Sequence, residues 1–402
     1  LTDPRGASDK SGRTFNNPYQ YFFEQMHMDD AIYADESIYE YPMQQGGGND
    51  GRPYSFGRPS SGGSKAAYPC KSYGQGRINP AYFYGIFDPN DMRRDVSITM
   101  TGSNGKGVEK LIPFVPNSKA EGGGLTLNKW DENRQANPWV AAQRKSGING
   151  PYMRMSEVYL GYAEVCAALG DVVTGKQYLK TVRERSFPQG LANTDAFIAS
   201  FGNDLVRAII EERGFEYAGE GDRRWTLIRS GYLPEDIKRI KDMTKAMMDG
   251  LATKGYYEFE NGNIISAYIW TKLVDAKTIY GHRLTAQCPT DKVNDPVLYP
   301  GWRGQKDNWE EMGLNYGSST PATNLAIKGL FEIVSEEEAA SLESQGYTKV
   351  NWGIDLVDNR DEYDKYLFWD YDYVSAPIYL WPFTPNVMAA GGFTNGYGFK
   401  QE

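Results

Sequence analysis

Histidine and cysteine are scarce in this sequence of 402 residues, which holds two histidines and three cysteines. His27 and His282 lie far apart, and neither a Cys-x-x-Cys nor a His-x-x-x-His pattern occurs. A zinc site is therefore disfavoured, and so is a hydrolytic triad that needs a histidine base. We expect no catalytic residue and no resident metal or cofactor.

Long apolar runs and an excess of positive charge are also missing. No stretch approaches the roughly 20 apolar residues of a transmembrane helix, so we expect any membrane attachment to come from a lipid outside this sequence. Acidic residues outnumber basic ones by 52 to 43, which gives a net charge of −9. Nucleic acid is a poor expected partner, because phosphate binding needs a basic surface.

Three short patterns have simple non-functional interpretations. The segment 102–107 lacks the spacing of a phosphate-binding loop, and we interpret it as a turn between strands at 96–100 and 111–115. The acidic run 355–364 lacks the glycine of an EF-hand, so a solvated face is favoured over a weak calcium site. Cys166 is expected to be a buried thiol, whereas an oxidising compartment would allow a disulfide between Cys70 and Cys288.

Tyrosine, tryptophan and glycine are abundant, with 29 Tyr, 9 Trp and 44 Gly. Tyrosine and tryptophan offer a flat apolar face with a polar edge, which suits the C–H faces and hydroxyl rims of sugar rings. Loops rich in tyrosine and glycine are also common in secreted proteins. The composition therefore favours carbohydrate binding without establishing it.

The clearest periodicity begins at Met155 and predicts a helical hairpin. Apolar residues recur at helical spacing and predict one continuous apolar face: Met155, Val158, Tyr159, Tyr162, Val165, Cys166 and Leu169. Small residues such as Gly161 and Ala163 would let a neighbouring helix approach, and Gly170 is placed as a left-handed cap. A second helix follows and stops before Pro188. Helix, short turn and helix form a tetratricopeptide-like unit, and a third helix is predicted over 204–217.

Charged residues crowd the segment from Glu211 to Arg229, and two interpretations compete. Glu212, Glu216 and Glu220 are stacked at helical spacing and could include an acid with a raised pKa. Alternatively, the acids and arginines pair and lock the helix to the following segment. Four arginines among five acids supply partners for the charges, so we favour a structural ion-pair network.

These segments resemble the SusD/RagB family of surface glycan-binding lipoproteins. The resemblance is carried by four elements in order, which are 36–43 (ESIYEYPM), 87–95 (FDPNDMRRD), the signature running from 154 to 229, and the closing segment 376–398. Thr384 before Pro385, and the missing Gln-Asn-Pro, depart from the family's terminus. The family's usual amino-terminal helices and lipidated cysteine are also missing, so we expect the amino-terminal part to be absent.

The resemblance implies a mostly α fold with tetratricopeptide-like helical repeats, decorated with long loops and a few short strands. We divide the chain into a loop-rich segment with short strands (1–150), a helical scaffold (151–231) and a closing segment of helices and aromatic loops (232–402). Further elements predicted from the residues are a helix over 234–250 and two helices over 322–346. The second of those opens at Ser335 in a capping-box pattern.

The resemblance also implies a non-catalytic protein, lipid-anchored at the extracellular face of the outer membrane of Bacteroidetes. It would bind oligosaccharide or polysaccharide and deliver it to a SusC-like TonB-dependent transporter. Two loop clusters supply the candidate ligand contacts, although each aromatic could instead pack under its own loop. They are Tyr54, Tyr68, Tyr73, Arg77, Asn79 and Tyr82 in the first, and Trp302, Arg303, Asn308 and Trp309 in the second.

Three alternatives remain open. A peptide-binding RagB-like protein for oligopeptide import would present an open sheet edge. A glycoside hydrolase would need two unpaired carboxylates facing each other across a cleft, about 5–10 Å apart. A pure protein-interaction scaffold would bind no small molecule at all.

Overall fold

The computed structural model describes residues 76–103, 109–112, 114, 124–130, 147–275 and 323–361, with 7–8, 14–15, 19, 22–23, 36–44, 46, 57, 379, 383–392 and 394. The helices are α1 (Pro80–Gly85), α2 (Arg93–Ser97), α3 (Met155–Ala168), α4 (Val172–Glu184), α5 (Thr194–Ala199), α6 (Leu205–Glu216), α7 (Asp222–Ser230), α8 (Leu233–Lys254), α9 (Glu336–Ser344), α10 (Gly353–Asp358) and α11 (Pro385–Gly391). The strands are β1 (Ala7–Ser8), β2 (Thr14–Phe15), β3 (Ser37–Tyr41), β4 (Ile98–Thr99), β5 (Thr101–Ser103), β6 (Glu109–Leu111), β7 (Thr126–Leu127), β8 (Gly150–Arg154), β9 (Tyr256–Glu258), β10 (Ile264–Ser266), β11 (Tyr268–Asp275), β12 (Thr323–Lys328) and β13 (Thr348–Asn351). The described part is mostly helical, with short antiparallel strands, as predicted.

Helices α3 and α4 form the predicted hairpin, and α6 packs against both of them. Their shared core contains Leu160, Leu179, Val182 and Ile209. The local end signals are confirmed: Gly170 has φ +88° after α3, and the Asp171 side chain accepts from the Thr174 N–H at the start of α4. These caps satisfy backbone groups that a helix end leaves without partners.

The predicted apolar face of α3 is only partly the buried face, since Cys166 is buried and Tyr159 packs against the core but the rest of the stripe does not. Val158, Tyr162, Val165 and Leu169 are about half exposed or more, whereas Leu160, Ala163 and Cys166 are buried. The buried face carries the small residues through which α3 packs closely against α4.

A methyl group added at Gly175 of α4 would come within 2.9 Å of the Ala163 carbonyl oxygen, so the two backbones lie nearly in contact there. Gly161 has open space around it, so no neighbouring backbone approaches α3 at that position. Cys166 is confirmed as a buried thiol without a disulfide. Cys70 and Cys288 lie outside the described residues.

Helix α8 is longer than predicted. The expected stop at Gly250 is wrong, because the helix continues to Lys254 and ends at Gly255, whose φ is +76°. Gly250 serves a different purpose: a methyl group there would lie 2.7 Å from the Tyr257 ring, so the glycine lets β9 fold back onto the helix. The left-handed conformation, rather than the presence of glycine, marks the helix end.

A second core lies between α8, α1 and the three-stranded sheet β12-β11-β13. The helix predicted at the start of 322–346 is wrong, since β12 pairs there with β11 over six residues. Leu325, Ala326 and Ile327 are all buried, which is typical of a short apolar run used as a strand. The capping box at Ser335 is confirmed at the start of α9.

The hairpin around 102–107 is also formed, but not from the predicted strands. Strand β5 pairs with β6, with Thr101 opposite Leu111 and Ser103 opposite Glu109. The predicted strand over 96–100 is wrong in its first half, because Val96 and Ser97 end the short helix α2. Ile98 then opens β4, which pairs with β7.

Candidate functional site

A buried cluster of ion pairs links the helical scaffold to the segments that precede it. At its centre lies Glu216 at the end of α6, which is fully buried. Its carboxylate accepts from Arg154 at 2.8 Å, from Arg185 at 2.8 Å and from Arg93 at 3.3 Å. Each guanidinium comes from a different part of the chain, so one carboxylate joins β8, the end of α4 and α2.

The neighbouring acids extend the cluster back into α6 and past its end. Glu212 accepts from Arg93 at 2.6 Å and from Arg183 at 2.9 Å. Glu220 accepts from Lys129 at 2.6 Å and from Arg154 at 2.9 Å. Among the described residues, all three glutamates at helical spacing therefore have cationic partners, as expected for the structural interpretation.

The pKa shifts in this cluster oppose the general-acid interpretation. Burial alone would raise the pKa of Glu216, but Arg185, Arg154 and Arg93 outweigh burial and hold the pKa below its ordinary value. Burial is likewise outweighed at Glu211, whose two arginine partners lower its pKa from 4.5 to about 2. A catalytic acid needs a raised pKa, so neither carboxyl group can serve as a proton donor near neutral pH.

The same cluster fixes a two-stranded ribbon formed by β3 and β8. Glu36, just before β3, is bound by Arg154 at 3.1 Å and by Arg185 at 2.8 Å. Farther out, the Asn149 side chain donates to Glu40 at 3.0 Å and accepts from the Met43 N–H at 2.8 Å. Polar contacts therefore hold the ribbon in place at both of its ends.

Three tyrosines project from this ribbon into solvent. Tyr39, Tyr41 and Tyr152 expose 58%, 54% and 69% of their surface. The rings of Tyr39 and Tyr152 meet edge to face, with centroids 5.7 Å apart and an interplanar angle of 86°. We call Tyr39, Tyr41 and Tyr152 the ribbon tyrosines. Exposed rings with hydroxyl groups at their edges can stack on a sugar ring and bind its hydroxyls.

A second exposed surface lies on α3, which follows β8 directly. Val158, Tyr162, Val165 and Leu169 are spaced four, three and four residues apart, so they form one stripe along the helix. We call these four residues the α3 stripe. A contiguous exposed apolar surface of this kind is typical of a protein–protein contact.

Three of the predicted ligand residues lie in the described part of the chain. Arg77 is exposed beside its bridge partner Thr126. The Asn79 side chain caps α1 by accepting from the Ala81 N–H at 2.7 Å. The Tyr82 hydroxyl donates to the Gly214 carbonyl at 2.9 Å. Asn79 and Tyr82 thus have interior contacts, and the structure does not bring them together with the ribbon tyrosines.

The other predicted ligand residues fall outside the described residues, and their role stays a prediction: Tyr54, Tyr68, Tyr73, Trp302, Arg303, Asn308 and Trp309. The ribbon tyrosines were missed by the sequence reasoning, which used 36–43 only as an element of the family resemblance. Period-2 alternation would not have identified them, because the pairing of β3 with β8 is irregular on both sides of Tyr39.

Two features are absent from the described residues. No group of three or more His, Cys, Asp or Glu side chains in the described part could hold a metal ion. The acidic run 355–364 is described only to 361, and it begins within the short helix α10. Over the same described residues, every helix is too short or too polar to cross a lipid bilayer.

Comparisons with known proteins point to one family. The model of the SusD family matches residues 5–272. A SusD-like protein of Formosa agariphila is 28% identical over 160 residues, which are 40% of this chain and 26% of the relative.

Two solved structures from Bacteroides thetaiotaomicron are also similar. A SusD homologue matches with 19% identity and a TM-score of 0.43, over 57% of this chain and 47% of that one. Surface glycan-binding protein A, solved in complex with laminarihexaose, matches with 18% identity and a TM-score of 0.37, over 53% of this chain and 46% of that one. The chain thus spans about a quarter of the curated relative and under half of these two solved chains.

Proposed function

The chain belongs to the SusD family, and on that premise we propose that it binds oligosaccharide or polysaccharide at the cell surface and delivers it to a SusC-like TonB-dependent outer-membrane transporter. The protein would be lipid-anchored at the extracellular face of the outer membrane. It would catalyse no reaction. Binding of glycans by its relatives, as in the laminarihexaose complex, is consistent with this proposal.

The observation that carries glycan binding is the set of ribbon tyrosines. Tyr39 and Tyr152 are exposed by more than half, yet the ribbon beneath them is held by Glu36, Arg154 and Asn149. A rigid platform loses little conformational entropy when a ligand binds, which favours affinity. The α3 stripe supports the delivery step, because it offers the apolar surface that a large transporter would cover.

The test separates the two surfaces. Affinity electrophoresis against a panel of soluble polysaccharides should show retardation of the parent protein and no release of reducing ends. Tyr39→Ala and Tyr152→Ala should each weaken binding by roughly tenfold, since each removes up to about 1.5 kcal/mol of aromatic burial. Tyr162→Ala, an exposed tyrosine of the α3 stripe, should leave the retardation unchanged and instead reduce co-purification with the SusC-like transporter.

The outcomes also discriminate among the alternatives. Calorimetry with an oligopeptide mixture, run in parallel, tests the peptide-binding function. Heat from peptides without retardation by any glycan would overturn glycan capture. Release of reducing ends would show a hydrolase, and loss of retardation in Tyr162→Ala alone would remove the ribbon tyrosines from the site.

A further inference from the structure

A cleft of about 770 Å³ opens between α5 and α8. Its lining within the described residues includes the end of α5 and Phe201 on one side, α8 on another, and the segment 257–261. None of the ribbon tyrosines is part of this lining. The volume falls within the usual range for sites that bind small molecules, so the cleft is large enough for more than one sugar ring.

Aromatic rings line the cleft from two separate elements. Phe197 and Phe201 meet edge to face with centroids 5.3 Å apart, and Tyr257 and Phe259 do so at 4.8 Å. The Arg183 guanidinium packs on the Phe197 ring, 3.8 Å from its centroid. Phe197, Phe201 and Tyr257 are only half-buried. All three residues line the cleft.

The charges of the lining are uneven. Five carboxylates line the cleft with two guanidiniums, Arg183 and Arg239. Both guanidiniums are already bound, Arg183 to Glu212 at 2.9 Å and Arg239 to Glu211 at 2.7 Å. Among the described residues, the Asp88 side chain accepts from the Asn90 N–H alone, and Glu260 makes no side-chain hydrogen bond or ion pair. An anionic ligand would therefore meet uncompensated negative charge.

A cation and an uncharged sugar both suit this charge pattern. The expected strengths of their contacts favour the sugar. Glu260 is exposed to water, and an exposed ion pair changes a binding equilibrium by about fivefold at most. Carboxylate oxygens also accept hydrogen bonds from hydroxyl groups, and these bonds do not depend on a net charge of the ligand. A small cation would leave most of the 770 Å³ unfilled, whereas sugar rings can also stack on Phe201 and Tyr257.

We propose that this cleft is a second glycan site, in which rings of an uncharged oligosaccharide stack on Phe201 and Tyr257 while their hydroxyls donate to Asp88 and Glu260. The choice of ligand class rests on the proposed function. The site itself is independent of the ribbon tyrosines, since it is built from other elements. A long glycan could then be held at two points of one chain, which raises its apparent affinity through effective concentration.

The test fills the cleft by enlarging one small residue of its lining. Ala246 is an exposed residue of α8 that lines the cleft, and Ala252 is an exposed residue of the same helix that does not. Ala246→Trp blocks the cleft, and Ala252→Trp is the matched control. Calorimetry with laminarihexaose, cellohexaose, maltohexaose and xylohexaose gives affinity and stoichiometry for the parent, both variants and Tyr39→Ala/Tyr152→Ala. Glu260→Gln is the milder second variant.

We expect two sites per parent chain for one hexasaccharide, one site in Ala246→Trp, and two in Ala252→Trp. Glu260→Gln should weaken the second site several-fold. Unchanged stoichiometry in Ala246→Trp would overturn the second site and leave the ribbon site intact. If Ala246→Trp loses a site and Tyr39→Ala/Tyr152→Ala loses none, the cleft is kept and the ribbon site is overturned. No binding of any hexasaccharide would refute both. Binding of pentalysine, lost in Ala246→Trp, with no glycan in the cleft would assign the cleft to cations instead.

Discussion

Replacing Glu216 by glutamine tests whether the buried ion-pair cluster holds the scaffold together. The substitution removes the negative charge and keeps the size of the side chain. Glu216 is fully buried, and three arginines donate to its two oxygens at 2.8, 2.8 and 3.3 Å. Glutamine offers one acceptor oxygen and brings an amide N–H₂ against guanidiniums that cannot accept a hydrogen bond.

The loss of stability depends on which carboxylate partners the three arginines keep after the substitution. Removing one member of a buried ion pair typically costs about 3–5 kcal/mol, because the partner charge is left without compensation. Here each arginine keeps another carboxylate: Arg93 keeps Glu212, and Arg154 and Arg185 keep Glu36. We therefore expect a loss near the lower end, about 3 kcal/mol in the free energy of unfolding.

The matched control is Glu164→Gln, the same change in an ion pair with Arg229, whose side chain is nearly half exposed. Exposed pairs contribute up to about 1 kcal/mol, so this variant should stay close to the parent. Urea denaturation followed by circular dichroism gives the midpoint and the slope, and only the midpoint should move. A loss in Glu216→Gln no larger than in Glu164→Gln would refute the structural role of the cluster.

Three further predictions concern packing, pH and capping. Gly175→Ala should destabilise the protein by about 1–3 kcal/mol, because its methyl group meets the Ala163 carbonyl at 2.9 Å. Gly161→Ala, in open space on the facing helix, should stabilise by up to about 1 kcal/mol, and equal effects in thermal denaturation would contradict the close approach. Acidification from pH 4.5 towards 2 should remove about 3 kcal/mol of the free energy of unfolding, because the pKa of Glu211 is about 2 in the folded state and near 4.5 when unfolded. Urea titrations in which the parent is no more acid-sensitive than Glu211→Gln would exclude that contribution. Ser335→Ala should cost about 1 kcal/mol of local stability at α9, with faster hydrogen exchange there as the readout and unchanged exchange as the contrary result.

Local signals in the sequence predicted most of the helical scaffold. Gly170 and the capping box at Ser335 marked helix ends correctly, because each signal acts within about four residues of chain. Glycine failed as a signal at Gly250, where the backbone stays helical and the missing side chain makes room for Tyr257. A glycine chosen for space and one chosen for its left-handed backbone look the same in sequence.

Periodicity located α3 but could not say which of its faces is buried. The predicted face is more hydrophobic, yet the structure buries the face with Ala163, where α4 can approach most closely. Segment 323–328 failed for a related reason: a short apolar run suits a buried strand as well as a helix, and pairing with β11 decides between them.

The sequence by itself determined the helix-turn-helix pattern, the family signature from 154 to 229, and the surplus of arginine partners around Glu216. Tertiary structure alone decided which charges pair and which rings stay exposed. Glu36 meets Arg154 across 118 residues of chain, and that contact fixes the ribbon of Tyr39 and Tyr152. The physical reason is range: capping and periodicity act along a few residues, whereas burial and ion pairing depend on segments that only folding brings together.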